Sequence, residues 1–407
     1  MNFNKDILLF IRGEWLLLLL LSIPNILFSN SAPLYFSTLI LPLLLLNRNK
    51  ILKFFDFTSL LLLLFSFFYF SIQILNGFDV EFRTFIIFII LPFSYYILGY
   101  YIVDKYKNVN VHLFFLFYIL LSFGFQHFYI TIIDIYSVGL INPYRQLSIV
   151  GNIQQGITLR IVALSAFLSL SGILICKCKT NYENKIKKMG LLMSFLALIC
   201  TLHYLSRTGI ALFLLSFIFT YMYLYRNNIK HLLLMLLLFS IFLVIFDSIF
   251  NISSIIFNSE LFSLYKDREI DGSSLYDAGG RVERWLGGIS MLFSYPFGYN
   301  LLEKGYTYAH NLWLDVSRVS GIIPFGLLII IGIQNIIIAY KILFSHTFHF
   351  PKLYSVSLLL LLLNFYIQSS MEPILEGQPM FFMYYILFCG MCKGIYANAN
   401  HYSKKSL

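Results

Sequence analysis

Long apolar runs separated by short polar connections make up most of the chain. A membrane-spanning helix needs about 20 mostly apolar residues, and most of these runs reach or approach that length. The pattern predicts an all-α, polytopic membrane protein with about twelve transmembrane helices. The second run is short and contains Pro42, so a hairpin that does not fully cross is an open alternative for the first two runs. The candidate spans are 15–29, 33–46, 54–75, 83–103, 111–135, 157–176, 186–205, 209–225, 229–250, 321–341, 353–371 and 378–396.

One long polar interruption, residues 251–320, breaks this pattern. Within it, helical spacing begins at Arg281 after a glycine-containing turn, a second turn follows at 295–298, and a short helix is expected from His310 to Ser320. The chain therefore divides into residues 1–250 with spans one to nine, the loop 251–320 with short surface helices, and residues 321–407 with the last three spans and a polar tail.

Composition agrees with a membrane protein. Of 407 residues, 59% are hydrophobic and 12% are charged, whereas a soluble domain carries about 25% charged residues. The net charge is +10, but the basic residues recur between apolar runs rather than in one patch, as topology signals do. Nucleic acid is therefore not an expected partner.

The basic residues also predict an orientation. Connections rich in lysine alternate with connections that contain little lysine, which places both termini in the cytoplasm and the long loop outside. Only Arg12, Arg48 and Arg226 then lie inside, and the other eight of eleven arginines lie outside. Because outer basic residues oppose the topology rule, and because the arginine fork binds phosphate and carboxylate in a bidentate manner, the set suggests an anionic ligand. For any single arginine, pairing with an outer acid is an equal alternative.

The helix that begins at Arg281 carries the first candidate site. Arg284 and Trp285 share a face with Arg281, and the opposite face is apolar enough to lie at the membrane surface. The preceding glycines expose backbone N–H groups that favour an anion. Two arginines here would hold a diphosphate; the alternative is a surface helix whose arginines contact lipid headgroups.

His310 is the second candidate, because an imidazole at the start of a helix outside the membrane can accept a proton from a sugar hydroxyl. Asn311, Asp315 and Arg318 share one helical face, which does not include His310. On spacing alone a lone histidine is more often structural.

Two further stretches lie on the same predicted side. Ser206-Arg207-Thr208-Gly209 is a tight connection between apolar helices, and a charge at that depth is costly without a partner. Snorkelling to headgroups is the alternative for Arg207. The second stretch is a polar, glycine-flanked loop that contains Arg145 and is followed by Arg160.

The order of these motifs resembles the O-antigen polymerase and O-antigen ligase superfamily over about residues 140–340. The motifs are Arg145…Gly151-Asn152, Ser206-Arg207-Thr208-Gly209, Gly280-Arg281…Trp285 and His310-Asn311…Gly321.

The resemblance implies a metal-independent, inverting glycosyltransferase of the bacterial inner membrane that needs no cofactor. Its donor would be an undecaprenyl-pyrophosphate-linked oligosaccharide, and a chain-length regulator protein is a further expected partner. Arg207 and Arg281, with Arg145, would hold the pyrophosphate, and His310 would be the catalytic base. The remaining substrate-binding candidates are Arg160, Arg284, Trp285 and Asn311. A polymerase of surface-polysaccharide repeat units is favoured; a ligase that transfers the glycan to lipid A core, and a flippase for the same lipid-linked unit, stay open.

Overall fold

The computed structural model describes residues 5–27, 32–46, 51–78, 82–142, 156–228, 281–298, 309–345, 348 and 350–399. Helices account for nearly all of these residues, and no strand occurs among them, so the all-α prediction is confirmed for this part of the chain. The ninth predicted span, 229–250, most of the long loop and the polar tail lie outside the described residues.

The helices follow the apolar runs in order. They are α1 (Lys5–Leu27), α2 (Ala32–Ser37), α3 (Ile40–Leu45), α4 (Phe57–Leu75), α5 (Phe82–Lys105), α6 (Val109–Val138), α7 (Gly156–Ser169), α8 (Asn181–His203), α9 (Arg207–Leu224), α10 (Arg281–Ser294), α11 (Leu312–Ser320), α12 (Ile322–Phe344), α13 (Lys352–Met371), α14 (Ile374–Gly377) and α15 (Pro379–Ala397). Two 3₁₀ segments, Leu52–Phe54 and Leu170–Ile175, precede α4 and continue α7.

Eight helices in the described ranges are long and apolar enough to cross a membrane, namely α1, α4, α5, α6, α8, α12, α13 and α15. Three shorter apolar stretches, 33–45, 160–175 and 208–224, coincide with three more predicted spans. A multi-pass membrane protein is thus established, while the number twelve stays a prediction. The second run is divided into α2 and α3 by a break at residues 38–39, and Pro42 lies inside α3.

Glycines allow a close contact between α5 and α15. A Cβ atom on Gly99 would lie 2.0 Å from the carbonyl oxygen of Leu387, and one on Gly390 would lie 2.0 Å from that of Tyr96. Small residues at facing positions let two backbones approach in this way, which is how helices pack tightly in a membrane. Both helices are largely buried within the described part of the bundle.

Charged residues distinguish the two ends of the bundle. At one end lysines pair with acids, as Lys105 does with Glu14 and Lys393 does with Asp56. The opposite end carries Arg160 and the whole of α11. The lysine-rich connections therefore gather at one end, as the sequence predicts, and which end faces the cytoplasm stays a prediction.

Candidate functional site

The site is built around α11 and the turn that leads into it. Asn311 caps the helix: its Oδ1 accepts hydrogen bonds from the backbone N–H groups of Trp313 at 3.1 Å and Leu314 at 3.2 Å. Such a cap satisfies donors that have no partner within the helix. The helix consequently begins at Leu312, two residues after the predicted start, and His310 lies in the turn before the cap.

Asp315 fixes the backbone on both sides of His310. One carboxylate oxygen accepts a hydrogen bond from the Ala309 N–H at 2.7 Å, and the other accepts one from the Asn311 N–H at 3.0 Å. Between them, His310 has a φ of 53°, a left-handed conformation that costs a non-glycine residue free energy. Asp315 is buried, and this burial raises the pKa of its carboxyl group against the lowering effect of these hydrogen bonds.

Arg318, one turn further along α11, ties the helix to the turn after α13. Its Nη2 donates to both carboxylate oxygens of Glu376, at 2.9 and 3.1 Å, and its Nε lies 3.5 Å from Oδ1 of Asp315. Burial is the largest effect on the pKa of Glu376 and raises it to about 7; the neighbouring Arg318 guanidinium acts in the opposite direction and limits the rise. One buried cation thus lies between two acids.

The same turn places a second carboxylate beside His310. Glu372, which follows α13 directly, is 8% exposed, and its Oε2 lies 3.6 Å from Nδ1 of His310. The His310 side chain is 31% exposed. The segment thus combines a rigid backbone, an accessible imidazole and a neighbouring acid, which is an arrangement able to take up a proton.

Helix α10 packs on α11 through a small residue. A Cβ atom on Gly288 would lie 3.3 Å from the Cβ of Leu314. The outer face of α10 exposes Leu286 (63%), Ile289 (47%) and Phe293 (75%). This confirms the predicted helix and its apolar face, which suits a position in the membrane interface.

A tight crossing joins the end of α10 to the start of α12. The N–H of Ile322 donates to the carbonyl of Pro296 at 2.8 Å, and both Gly298 and Gly321 have positive φ values, of 77° and 78°. The Asn76 side chain donates to the carbonyl of Phe297 at 2.8 Å. The predicted turn at 295–298 is confirmed, and it anchors α10 and α11 against α4.

Five further predicted site residues differ in how much of each the structure describes. Arg284 and Trp285 lie on α10 and are partly exposed, and Trp285 Nε1 is buried without a hydrogen-bond partner among the described residues. For Arg281 and Arg207 only the backbone is described: each is the first residue of its helix, and Ser206 caps α9 by accepting from the Gly209 N–H at 3.3 Å. Arg145 lies outside the described residues.

Arg160 belongs to a separate, buried cluster. Its guanidinium pairs with Asp134 on α6 and donates to the Tyr204 hydroxyl at 2.5 Å, and that hydroxyl donates to Asp134 at 2.7 Å. Arg160 is 3% exposed. Its guanidinium is therefore engaged inside the bundle, in the way that the acid-pairing alternative anticipates, and its role in binding substrate stays a prediction.

Three acids shape the site in ways that helical spacing did not indicate: Asp315, Glu372 and Glu376. The available signal was their scarcity, since the turn at 372–378 holds two of the few acids at this end of the chain. In the described ranges no group of three or more His, Cys, Asp or Glu side chains is arranged to hold a metal ion.

Comparisons with known proteins assign no family, because no family model matches the chain and no curated protein is significantly similar to it.

Proposed function

We propose that the protein is a membrane glycosyltransferase that polymerises lipid-linked repeat units of a surface polysaccharide. The observation that carries the proposal is His310: an accessible imidazole, 31% exposed, on a backbone that Asp315 holds from both sides. Catalysis by a general base depends first on such fixed geometry. The motif order that resembles the O-antigen polymerase and ligase superfamily supports the same chemistry.

In the proposed reaction, a hydroxyl of the acceptor glycan attacks C1 of the donor sugar. The new bond joins the acceptor oxygen to C1, the bond from C1 to the pyrophosphate oxygen breaks with inversion, and the electron pair leaves with undecaprenyl pyrophosphate. His310 accepts the hydroxyl proton. Arg207 and Arg281, with Arg145 and Arg284 as further candidates, stabilise the negative charge that develops on the leaving group.

The exposed apolar face of α10 supports a donor that stays in the membrane. Leu286, Ile289 and Phe293 project from the helix face that does not pack on α11. A helix with this face in the bilayer interface keeps Arg284 and Trp285 at headgroup depth. The pyrophosphate of a lipid-linked sugar lies at the same depth.

The decisive experiment is an analysis of the surface polysaccharide made by a strain that lacks the gene. Lipid A core bearing one repeat unit identifies a polymerase, and wild-type protein should then restore the polymer. Unmodified core with accumulated lipid-linked polymer indicates the ligase instead, and repeat units retained on the cytoplasmic face indicate the flippase.

Point variants test the site within the same strain. His310→Ala should insert normally, bind donor lipid and fail to restore polymer, whereas Tyr136→Ala, at a position that is 93% exposed, is a control that should restore it. Arg207→Ala and Arg281→Ala should each leave single repeat units. Normal chain lengths from both arginine variants would refute the pyrophosphate site.

A further inference from the structure

The three carboxylates near His310 contact different groups. Both oxygens of Asp315 accept backbone N–H groups, and both oxygens of Glu376 accept from Arg318. Glu372 is the acid whose carboxylate oxygen faces the imidazole, with 3.6 Å between Oε2 and Nδ1.

We infer that Glu372 is a positioning residue for His310. This inference rests on the proposed function and adds one residue to the proposed site. In the active state, Nδ1–H of the neutral imidazole donates to the Glu372 carboxylate. This selects the tautomer whose Nε2 lone pair takes the proton of the acceptor hydroxyl. The imidazolium that forms then lies beside a negative charge, which stabilises it as the glycosidic bond is made.

Two backbone hydrogen bonds hold Glu372 in place. Its N–H donates to the carbonyl of Gln368 at 2.9 Å, and its own carbonyl accepts from the Ile374 N–H at 2.9 Å. The bond between Arg318 and Glu376 attaches the same turn to α11. Because these bonds do not involve the Glu372 carboxylate, the thermal stability of Glu372→Gln, measured beside its kcat, separates a loss of positioning from a structural effect.

The distance fits a site without substrate. At 3.6 Å the pair is longer than a hydrogen bond, whose usual length is about 2.7–3.2 Å. Catalytic hydrogen bonds are often long in the free enzyme and shorten when substrate binds. A small rotation of the partly exposed imidazole would shorten the distance, and Asp315 holds the His310 backbone in place.

The test is a kinetic comparison with full-length protein in lipid nanodiscs and a purified undecaprenyl-pyrophosphate-linked repeat unit. Glu372→Gln should lower kcat roughly 10- to 100-fold, which is less than the 10²- to 10⁴-fold contribution of the general base itself. It should leave the donor KM within about twofold, because the donor-binding residues are untouched. Glu372→Asp should recover part of kcat. The double variant His310→Ala/Glu372→Gln should be no slower than His310→Ala alone, because Glu372 acts through the imidazole.

Asp104→Asn is the control, at an acid of the lysine-rich end of the bundle whose carboxylate pairs with Lys53 at 3.0 Å and Lys107 at 3.1 Å. It should keep kcat within about threefold of wild type, since this acid lies at the end of the bundle opposite the imidazole. The inference is overturned by wild-type kcat for Glu372→Gln, by additive losses in the double variant, or by an equal loss of kcat in the control. A wild-type protein that transfers no sugar refutes the proposed function itself, and the inference with it.

Discussion

The most direct test of the site is the replacement of Asp315 by asparagine. This change preserves the shape of the side chain and removes its charge, in a position that is 3% exposed. Asparagine has one carbonyl oxygen, so it can accept from the N–H of either Ala309 or Asn311, and its NH₂ group then faces the other N–H. The expected effect is local opening of the turn that carries His310.

The size of the effect follows from the two hydrogen bonds, 2.7 and 3.0 Å long. A hydrogen bond to a charged group contributes about 1.5–3 kcal/mol, and a buried donor left without a partner costs about 1–3 kcal/mol. The asparagine variant loses one of these hydrogen bonds, and the remaining one no longer has a charged acceptor. The turn is therefore destabilised by about 2–4 kcal/mol. At 1.4 kcal/mol per factor of ten, the protection of the two amides against exchange falls roughly 30- to 700-fold.

Hydrogen–deuterium exchange of the solubilised protein, followed at peptides that contain Ala309 and Asn311, measures this directly. Ser317→Ala is the control, because that hydroxyl donates along its own helix, to the Leu314 carbonyl at 2.8 Å. It should leave exchange of the turn unchanged. If Asp315→Asn also leaves protection unchanged, the carboxylate does not hold the turn and the account of His310 placement is wrong.

Three further predictions concern pH, packing and the arginine fork. The pKa of Glu376 is raised from 4.5 to about 7 in the folded protein. As pH rises between these values, Glu376 loses its proton in the unfolded chain while it keeps the proton in the folded protein, so the free energy of unfolding should fall. The shift corresponds to about 3 kcal/mol, which solvent screening of a side chain that is 24% exposed reduces to about 2 kcal/mol; Glu376→Gln should flatten the thermal-stability profile. Gly390→Ala should destabilise the bundle by about 1–3 kcal/mol and lower the thermal midpoint, because its Cβ would meet the Tyr96 carbonyl. Gly326→Ala should not, because a Cβ there has no atom of another described element within 4 Å. Arg281→Lys should give shorter polysaccharide chains on gels than wild type, since a point charge cannot bind two oxygens in a fixed geometry.

Local patterns predicted the helices of the site better than their boundaries. The spacing after Arg281 gave α10 and its apolar face, because amphipathic periodicity depends only on neighbouring turns of one helix. The start of α11 was predicted two residues too early. Periodicity does not show that Asn311 turns its side chain onto the first helical N–H groups, nor that His310 adopts a left-handed conformation.

Ionic partners were the part that sequence could not supply. Asp134 lies 26 positions before Arg160, on another helix, and Glu376 lies 58 positions after Arg318. No rule of spacing links residues so far apart; helix packing decides whether they meet. The acids on the turn at 372–378 were visible as polar residues outside the spans, but their two different partners depend on how that turn lies against α11.

Arg160 and Arg318 each pair with an acid, and this changes the interpretation of the arginines that gather at one end of the bundle. Arg160 and Arg318 are buried and engaged with acids, and removing one partner of a buried ion pair typically costs about 3–5 kcal/mol. The guanidinium groups of these two arginines hold apolar helices together near the helix ends, where the polar connections begin. The hypothesis of an anionic ligand therefore rests mainly on Arg207 and Arg281 at helix starts, on Arg145 and on the partly exposed Arg284, while a role of Arg160 in binding substrate stays a prediction. A helix start adds its own N–H groups to such a side chain, so Arg207 and Arg281 are the positions where a pyrophosphate would gain most.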